Sequence, residues 1–317
     1  MTVKLETMRD AVLERVWRAM ADDPSIFFVS ADFGSPVLDK VRADFAGRFV
    51  NVGIAEQNLI NVSAGLALEG FTVFAYAIAP FITMRCYEQV RVNLALLSMV
   101  RPMNVTLIGV GAGYSYVVSG PTHQCYEDLT LMRAMPGFRV LSPADHVAAA
   151  ALADLCHASR GPKYLRLDAQ ALPVLYGDAP PDPAGGFRVH RTGSGLCLVA
   201  TGYMVHTALQ AAAGLEADGI SAGVIDMFDL SAFDAAALEV ALAPYRAIVS
   251  LEEGFSGRGG MDALLFDFLG QRARQPLLNI GVTGGYRFEL GSRGELHELA
   301  GIGPQAVLEK IRAFTTR

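Results

Sequence analysis

The stretch Phe49–Gly70, FVNVGIAEQNLINVSAGLALEG, opens as a short apolar strand and continues as a helix rich in Leu, Ile and Ala, with one carboxylate, Glu56, at the junction. Val52, Ile54, Leu59 and Ile60 flank that acid, so burial would raise its pKa unless something bonds to it. The acid needs a partner. The plain alternative is a first-turn helix acid, stabilised by the helix dipole and open to water.

The segments on either side extend the strand-to-helix alternation. Upstream, Glu6–Ala21 carries Ala11, Val12, Val16, Ala19 and Met20 at helical spacing, and Ile26–Ala31 is a short apolar run that reads as a buried parallel strand. Asp32, Gly34, Ser35 and Pro36 follow as turn residues at its carboxyl end, where open α/β sheets place ligands. Downstream come a strand Phe71–Ile78, a helix Phe81–Met99 and a strand Met103–Val110 that runs into the loop GVGAGYSYVVSGPTHQ. A helix Cys125–Met135, a strand Phe138–Leu141, a helix Asp145–Ser159 after Ser142-Pro143 and a strand Lys163–Leu167 complete a first unit.

Composition then shifts to Gly, Pro and Asp over Tyr176–Gly195. Beyond it lie strands at Leu196–Ala200, Ala222–Asp226, Ala247–Leu251 and Leu277–Ile280, and helices at Val205–Ala217, Asp234–Leu242, Met261–Leu269 and Pro304–Thr315. The pattern predicts an α/β protein of two doubly wound βα domains with mostly parallel sheets: residues 1–175, a linker 176–195, and residues 196–317. Glu252 and Glu253 close one of the second domain's strands, where acids are solvated by default.

At 317 residues, 52% of them apolar and 18% charged, the chain can bury two ordinary cores, and its composition excludes disorder. It holds no apolar run long enough to span a bilayer, and MTVKLETMRDAV lacks the apolar centre of a secretory signal. A net charge of −6 without a Lys/Arg run excludes a nucleic-acid face. Cys86, Cys125, Cys156 and Cys197 lack metal-ligand spacing and read as buried free thiols of a cytosolic protein.

The Glu56 segment, together with APFITMRCYEQVR (Ala79–Arg91), SGPTHQCYEDLTLMRAMPG (Ser119–Gly137) and VLSPAD (Val140–Asp145), resembles the transketolase superfamily. The resemblance implies that Glu56 hydrogen-bonds the aminopyrimidine ring of thiamine diphosphate. It further implies that Phe81 stacks on that ring, that Tyr87 lies beside it, and that Met84 stands where many relatives carry a second aromatic. Ile54, next to the acid, joins these cofactor contacts. His123 matches the histidine that bonds substrate oxygens, and the near-neutral reference value of an imidazole suits proton transfer. Ser30, Asp32 and Arg9 match other substrate contacts. Ser119, Gly111 and Ala169 instead replace groups that read a sugar hydroxyl or a phosphate.

There is no Gly-Asp-Gly motif, with which the family binds Mg²⁺ and the diphosphate. The resemblance therefore implies the pyrimidine-binding and carboxy-terminal domains of a split enzyme. An N-terminal diphosphate-binding subunit would complete it, holding most of the Mg²⁺ contacts in an α₂β₂ assembly. The acceptor is expected to lack a terminal phosphate unless the partner subunit, or a nearby residue such as Arg85, Arg166 or Arg287, supplies the missing contacts. Two alternatives stay open: the β subunit of a 2-oxo-acid dehydrogenase, and a non-catalytic partner subunit.

Overall fold

The computed structural model describes residues 6–177, 179–272 and 275–316. Helix α1 (Met8–Asp22) starts at Thr7, whose hydroxyl accepts from the Asp10 amide, and its Met8, Val12, Val16 and Met20 face is buried. Strand β1 (Ile26–Ser30) follows, then α2 (Pro36–Asp44), β2 (Phe49–Asn51), α3 (Glu56–Leu68) and β3 (Thr72–Ile78). The first unit ends with α4 (Tyr87–Gln89), β4 (Asn104–Val110), α5 (Asp128–Arg133), β5 (Arg139–Leu141), α6 (His146–Ala158) and β6 (Gly161–Leu167). Its six strands run parallel in the order β2-β1-β3-β4-β6-β5.

The second unit contains β7 (Arg188–Arg191), β8 (Leu196–Ala200), α7 (Met204–Glu216), β9 (Ala222–Asp226), α8 (Ala235–Leu242), β10 (Ala247–Phe255), α9 (Met261–Gln271), β11 (Leu277–Val282), α10 (Arg293–Ala300) and α11 (Pro304–Thr315). Its strand order is β11-β10-β8-β9-β7, parallel except for β7. The expected α/β class and mostly parallel sheets are thus observed. β7 lies inside the stretch read as connector, so its last residues form a sheet edge.

Three departures from the sequence reading bear on the site. The helix after β3 is wound as a π-helix over Phe81–Arg85 and again over Val90–Leu96, around the single α-turn of α4. Such i→i+5 windings break the three-residue stripe that Phe81, Met84 and Tyr87 would form on an α-helix. α5 starts at Asp128, so His123 sits in a turn rather than at a helix start. α10, absent from the sequence reading, begins in a reciprocal capping box between Ser292 and Glu295.

The two sheets share a buried seam. The Ser142 amide donates to the Phe228 carbonyl at 2.8 Å, and the Leu230 amide to the Val140 carbonyl at 2.9 Å. Far from being solvated, Glu252 and Glu253 are buried at the end of β10. Glu252 accepts the Met261 and Asp262 amides at 2.9 and 2.8 Å, while burial and the neighbouring Asp262 push its carboxyl up to about 7. Glu253 accepts from Arg293 at 2.8 Å, is bonded to His297 Nε2 at 2.6 Å, and takes the Tyr114 amide of the first unit at 2.9 Å. Burial works to raise the Glu253 carboxyl, but Arg293 and then His297 hold it well below the usual carboxylate range. Arg293 also lies 2.6 Å from Asp168, off the hydrogen-bond direction, and its guanidinium stacks 3.7 Å from the centre of the Tyr203 ring.

Candidate active site

The β1, β3 and β4 strands end on one edge of the first sheet, and the residues singled out in the sequence gather around that edge. The turn after β2 is held by Asn51, whose side chain donates to Asp32 at 2.8 Å and accepts the Gly53 amide at 2.9 Å. Asp32 has φ +56°, the one positive-φ non-glycine among the described residues. The chain then passes Ile54, 76% exposed, and enters α3 at Glu56. Ile54 therefore does not enclose the acid; Leu59 and Ile60 do lie in the core.

Glu56 has the partner its burial requires. Its side chain is 3% exposed, and Arg85 Nη1 donates to Glu56 Oε2 at 2.7 Å from a side chain that is 45% exposed. The same guanidinium lies 4.3 Å from the centre of the Phe81 ring. Phe81 meets the edge of the His123 ring at 5.3 Å, and His123 meets Tyr116 edge-on at 6.4 Å. His123 Nδ1 is bonded to the Thr122 hydroxyl at 3.0 Å. Glu56, Arg85, Phe81, His123 and Tyr116 thus form one continuous line along the edge of the sheet.

Arg9 anchors the far end. It grips both oxygens of Asp10, at 2.9 and 3.2 Å, and Asp10 also accepts the Ser35 hydroxyl at 3.0 Å. Burial would raise the Asp10 carboxyl, yet Arg9 draws it below its ordinary value. Two phenols sit in the field of Arg9: Tyr76, whose hydroxyl is buried without a partner among the described residues, and Tyr116, which burial pushes up to about 12. Gly111 has φ +109°, and a Cβ there would collide with the Tyr116 ring. The ring takes the volume that a side chain at position 111 would need.

The other predicted residues fall less centrally. Met84 is exposed, and Tyr87 is spent on a 3.1 Å bond to the Leu131 carbonyl. Ser119 is exposed, and its carbonyl accepts from the Thr122 hydroxyl. Ser30 is buried at the end of β1, where its carbonyl accepts the Val52 amide at 2.9 Å. Arg166 is sealed in the core on Asp128 at 2.7 Å and so is not free to replace a lost phosphate contact, while Arg287 donates one bond to the Thr283 carbonyl at 3.0 Å.

The sequence reading took Glu253 for a solvated strand-end acid and missed Arg293 and His297; together the three hold the Tyr114 end of the loop carrying Tyr116 and His123. The signal available was the acid pair on β10 opposite a capped segment that begins SRGE at Ser292. Among the described residues no cluster of His, Cys, Asp and Glu could hold a metal ion, and no helix is long and apolar enough to cross a membrane. All four cysteines are buried and free. A cavity of 680 Å³ lined by Tyr126, Glu127, Phe255, Arg258 and Tyr286 contains neither Glu56 nor His123, so the chemistry is not assigned to it.

Residues 6–174 match the family described as transketolase, pyrimidine binding domain, and residues 185–307 the one described as transketolase, C-terminal domain. The chain is 29% identical, over 99% of its length and 97% of the relative's, to the 6-deoxy-6-sulfo-D-fructose transketolase subunit SqwH of Clostridium sp. (strain MSTE9). It is 32% identical, over 82% of each chain, to an apulose-4-phosphate transketolase subunit of Phocaeicola vulgatus. A solved structure described as a split gene transketolase, inactive beta4 tetramer, superposes with a TM-score of 0.85 at 30% identity, covering 97% of both chains. Neither named relative is an oxo-acid dehydrogenase subunit. The chain belongs to the transketolase family, as a subunit that carries the pyrimidine-binding and carboxy-terminal domains of a split enzyme.

Proposed function

We propose that this chain is the pyrimidine-binding subunit of a thiamine-diphosphate- and Mg²⁺-dependent transferase that moves a two-carbon ketol or acyl unit. In this reading it works in the cytosol within an α₂β₂ assembly whose other subunit holds the metal and the diphosphate. The observation that carries the reading is the buried Glu56 carboxylate, already engaged by a planar cation that lies over the Phe81 ring. A buried acceptor at the rim of an aromatic face suits a flat heterocycle with a hydrogen-bond donor at its edge. When bound, thiamine diphosphate supplies the electron sink for breaking a carbon–carbon bond beside a carbonyl.

The chain's own residues supply positioning and proton handling. Glu56 would hold the ring nitrogen through a proton shared between the two, and Phe81 would provide an apolar face that excludes water. His123 gives a proton to, or takes one from, a substrate oxygen. Ile54 and Met84, both exposed beside this line, are surface for the rest of the cofactor and the partner subunit to cover. The inactive β-only assembly of the similar split transketolase supports the need for a partner. Four free thiols suit a reducing compartment.

At the far end, Tyr116 over Gly111 presents a phenol where a cation would grip a phosphate. We read this as selection for an acceptor lacking a terminal phosphate. The names of the two relatives carry a sulfo group and a phosphate, so a charged acceptor gripped by the partner subunit is the second reading. Calorimetry on the isolated chain is expected to show no Mg²⁺-dependent binding of thiamine diphosphate, and tight binding would refute the split-site reading. With its diphosphate-binding partner, the chain is expected to cleave a ketose donor yet turn over xylulose 5-phosphate with ribose 5-phosphate poorly. Efficient turnover of that pair would favour the charged acceptor.

A further inference from the structure

We propose that Arg85 is a stand-in for the aminopyrimidine in the free subunit, a placeholder that must leave before the cofactor's ring can enter. The inference rests on the cofactor reading above and concerns how this chain keeps its half of the site formed. The geometry is specific. A group that recognises this site must donate to Glu56 and lie against the Phe81 face, and the Arg85 guanidinium does both, at 2.7 Å from the carboxylate and 4.3 Å from the ring centre. It is flat and edged with N–H donors, which are the features that the site would use to recognise the ring.

The two partners differ in freedom. Glu56 stands on the first turn of α3 with its side chain 3% exposed, whereas the Arg85 side chain is 45% exposed and carries its guanidinium on a flexible stem at the end of the first π-helical winding. The carboxylate stays, and the cation can swing into water. Apart from Arg85, no described side chain bonds the Glu56 carboxylate. Without it the free subunit would bury an unpaired charge, an arrangement that opens or reorganises the surrounding structure. Arg85 thus holds the acid in place until a ring replaces it. The same contact opposes binding, because entry of the ring has to break a charge-assisted bond. For a pair half open to water, this weakens cofactor affinity by about five- to tenfold.

A permanent contact, in which Arg85 holds one carboxylate oxygen while the ring takes the other, predicts the opposite sign. The test is calorimetric titration of the complex with its diphosphate-binding partner, in Mg²⁺, with thiamine diphosphate. Arg85→Ala and Arg85→Met, the latter keeping the packing of the stem, are expected to bind about five- to tenfold tighter than wild type. In the free subunit both are expected to unfold at lower temperature. Unchanged or weaker cofactor binding by whichever variant folds would overturn the placeholder. Absence of binding by the wild-type complex would instead remove the cofactor reading on which it stands.

Discussion

Glu56→Gln in the assembled enzyme is expected to lower turnover by on the order of 10² or more while the subunit folds and associates normally, because a positioned proton-handling group is lost but its shape is kept. The glutamine carbonyl can still accept from Arg85, so the contact at the start of α3 survives, weakened by loss of charge assistance. What would disappear is the carboxyl group that the proposed function sets against the cofactor's ring nitrogen. Steady-state rates at saturating cofactor, with thermal unfolding as the control for folding, decide the matter. A variant retaining more than about a tenth of the wild-type rate would reduce Glu56 to a helix-start acid paired with a surface arginine.

The second large effect concerns stability. Glu253→Ala removes the acceptor shared by Arg293, His297 and the Tyr114 amide. Taking one partner from a buried ion pair costs roughly 3–5 kcal/mol, and the remaining Asp168 contact with Arg293 places this case near the lower figure. A loss of about 3 kcal/mol should lower the unfolding midpoint by roughly 4–5 °C. Because the folded-state pKa of Glu253 is depressed, its stabilisation is complete above the ordinary carboxylate range and fades as pH falls toward the depressed value. The gap between wild type and Glu253→Ala should therefore narrow on acidification. An unaltered midpoint at neutral pH would show that the cluster is energetically idle.

Much of this was legible before folding was known. Leu196–Ala200, Ala222–Asp226 and Pro304–Thr315 were bounded correctly, since strands buried on both faces read as unbroken apolar runs and an amphipathic helix shows its period. Glu56 stood out because a lone acid at an apolar junction is costly to leave unpaired. α2 was lost because Ser35-Pro36, a cap and a first-turn proline, also reads as a turn. The helix after β3 was drawn with the wrong pitch, since nothing in FITMRCYEQVRVNLAL announces an i→i+5 winding. The buried charges went unseen for another reason. Arg166, Glu253, Arg293 and His297 are tolerated inside only because residues far along the chain neutralise them, and local pattern carries no record of such pairings.

The ring of Tyr116 lying on Gly111 ties two positions of one loop to a single fate. A side chain at 111 would collide with the ring and would also have to adopt φ +109°, so position 111 cannot change while the Tyr116 ring stays. Removing the ring leaves a bare glycine, and adding the side chain first strains the loop. A side chain can therefore enter position 111 only after the Tyr116 ring has gone, so the two positions can change in one order and not the other.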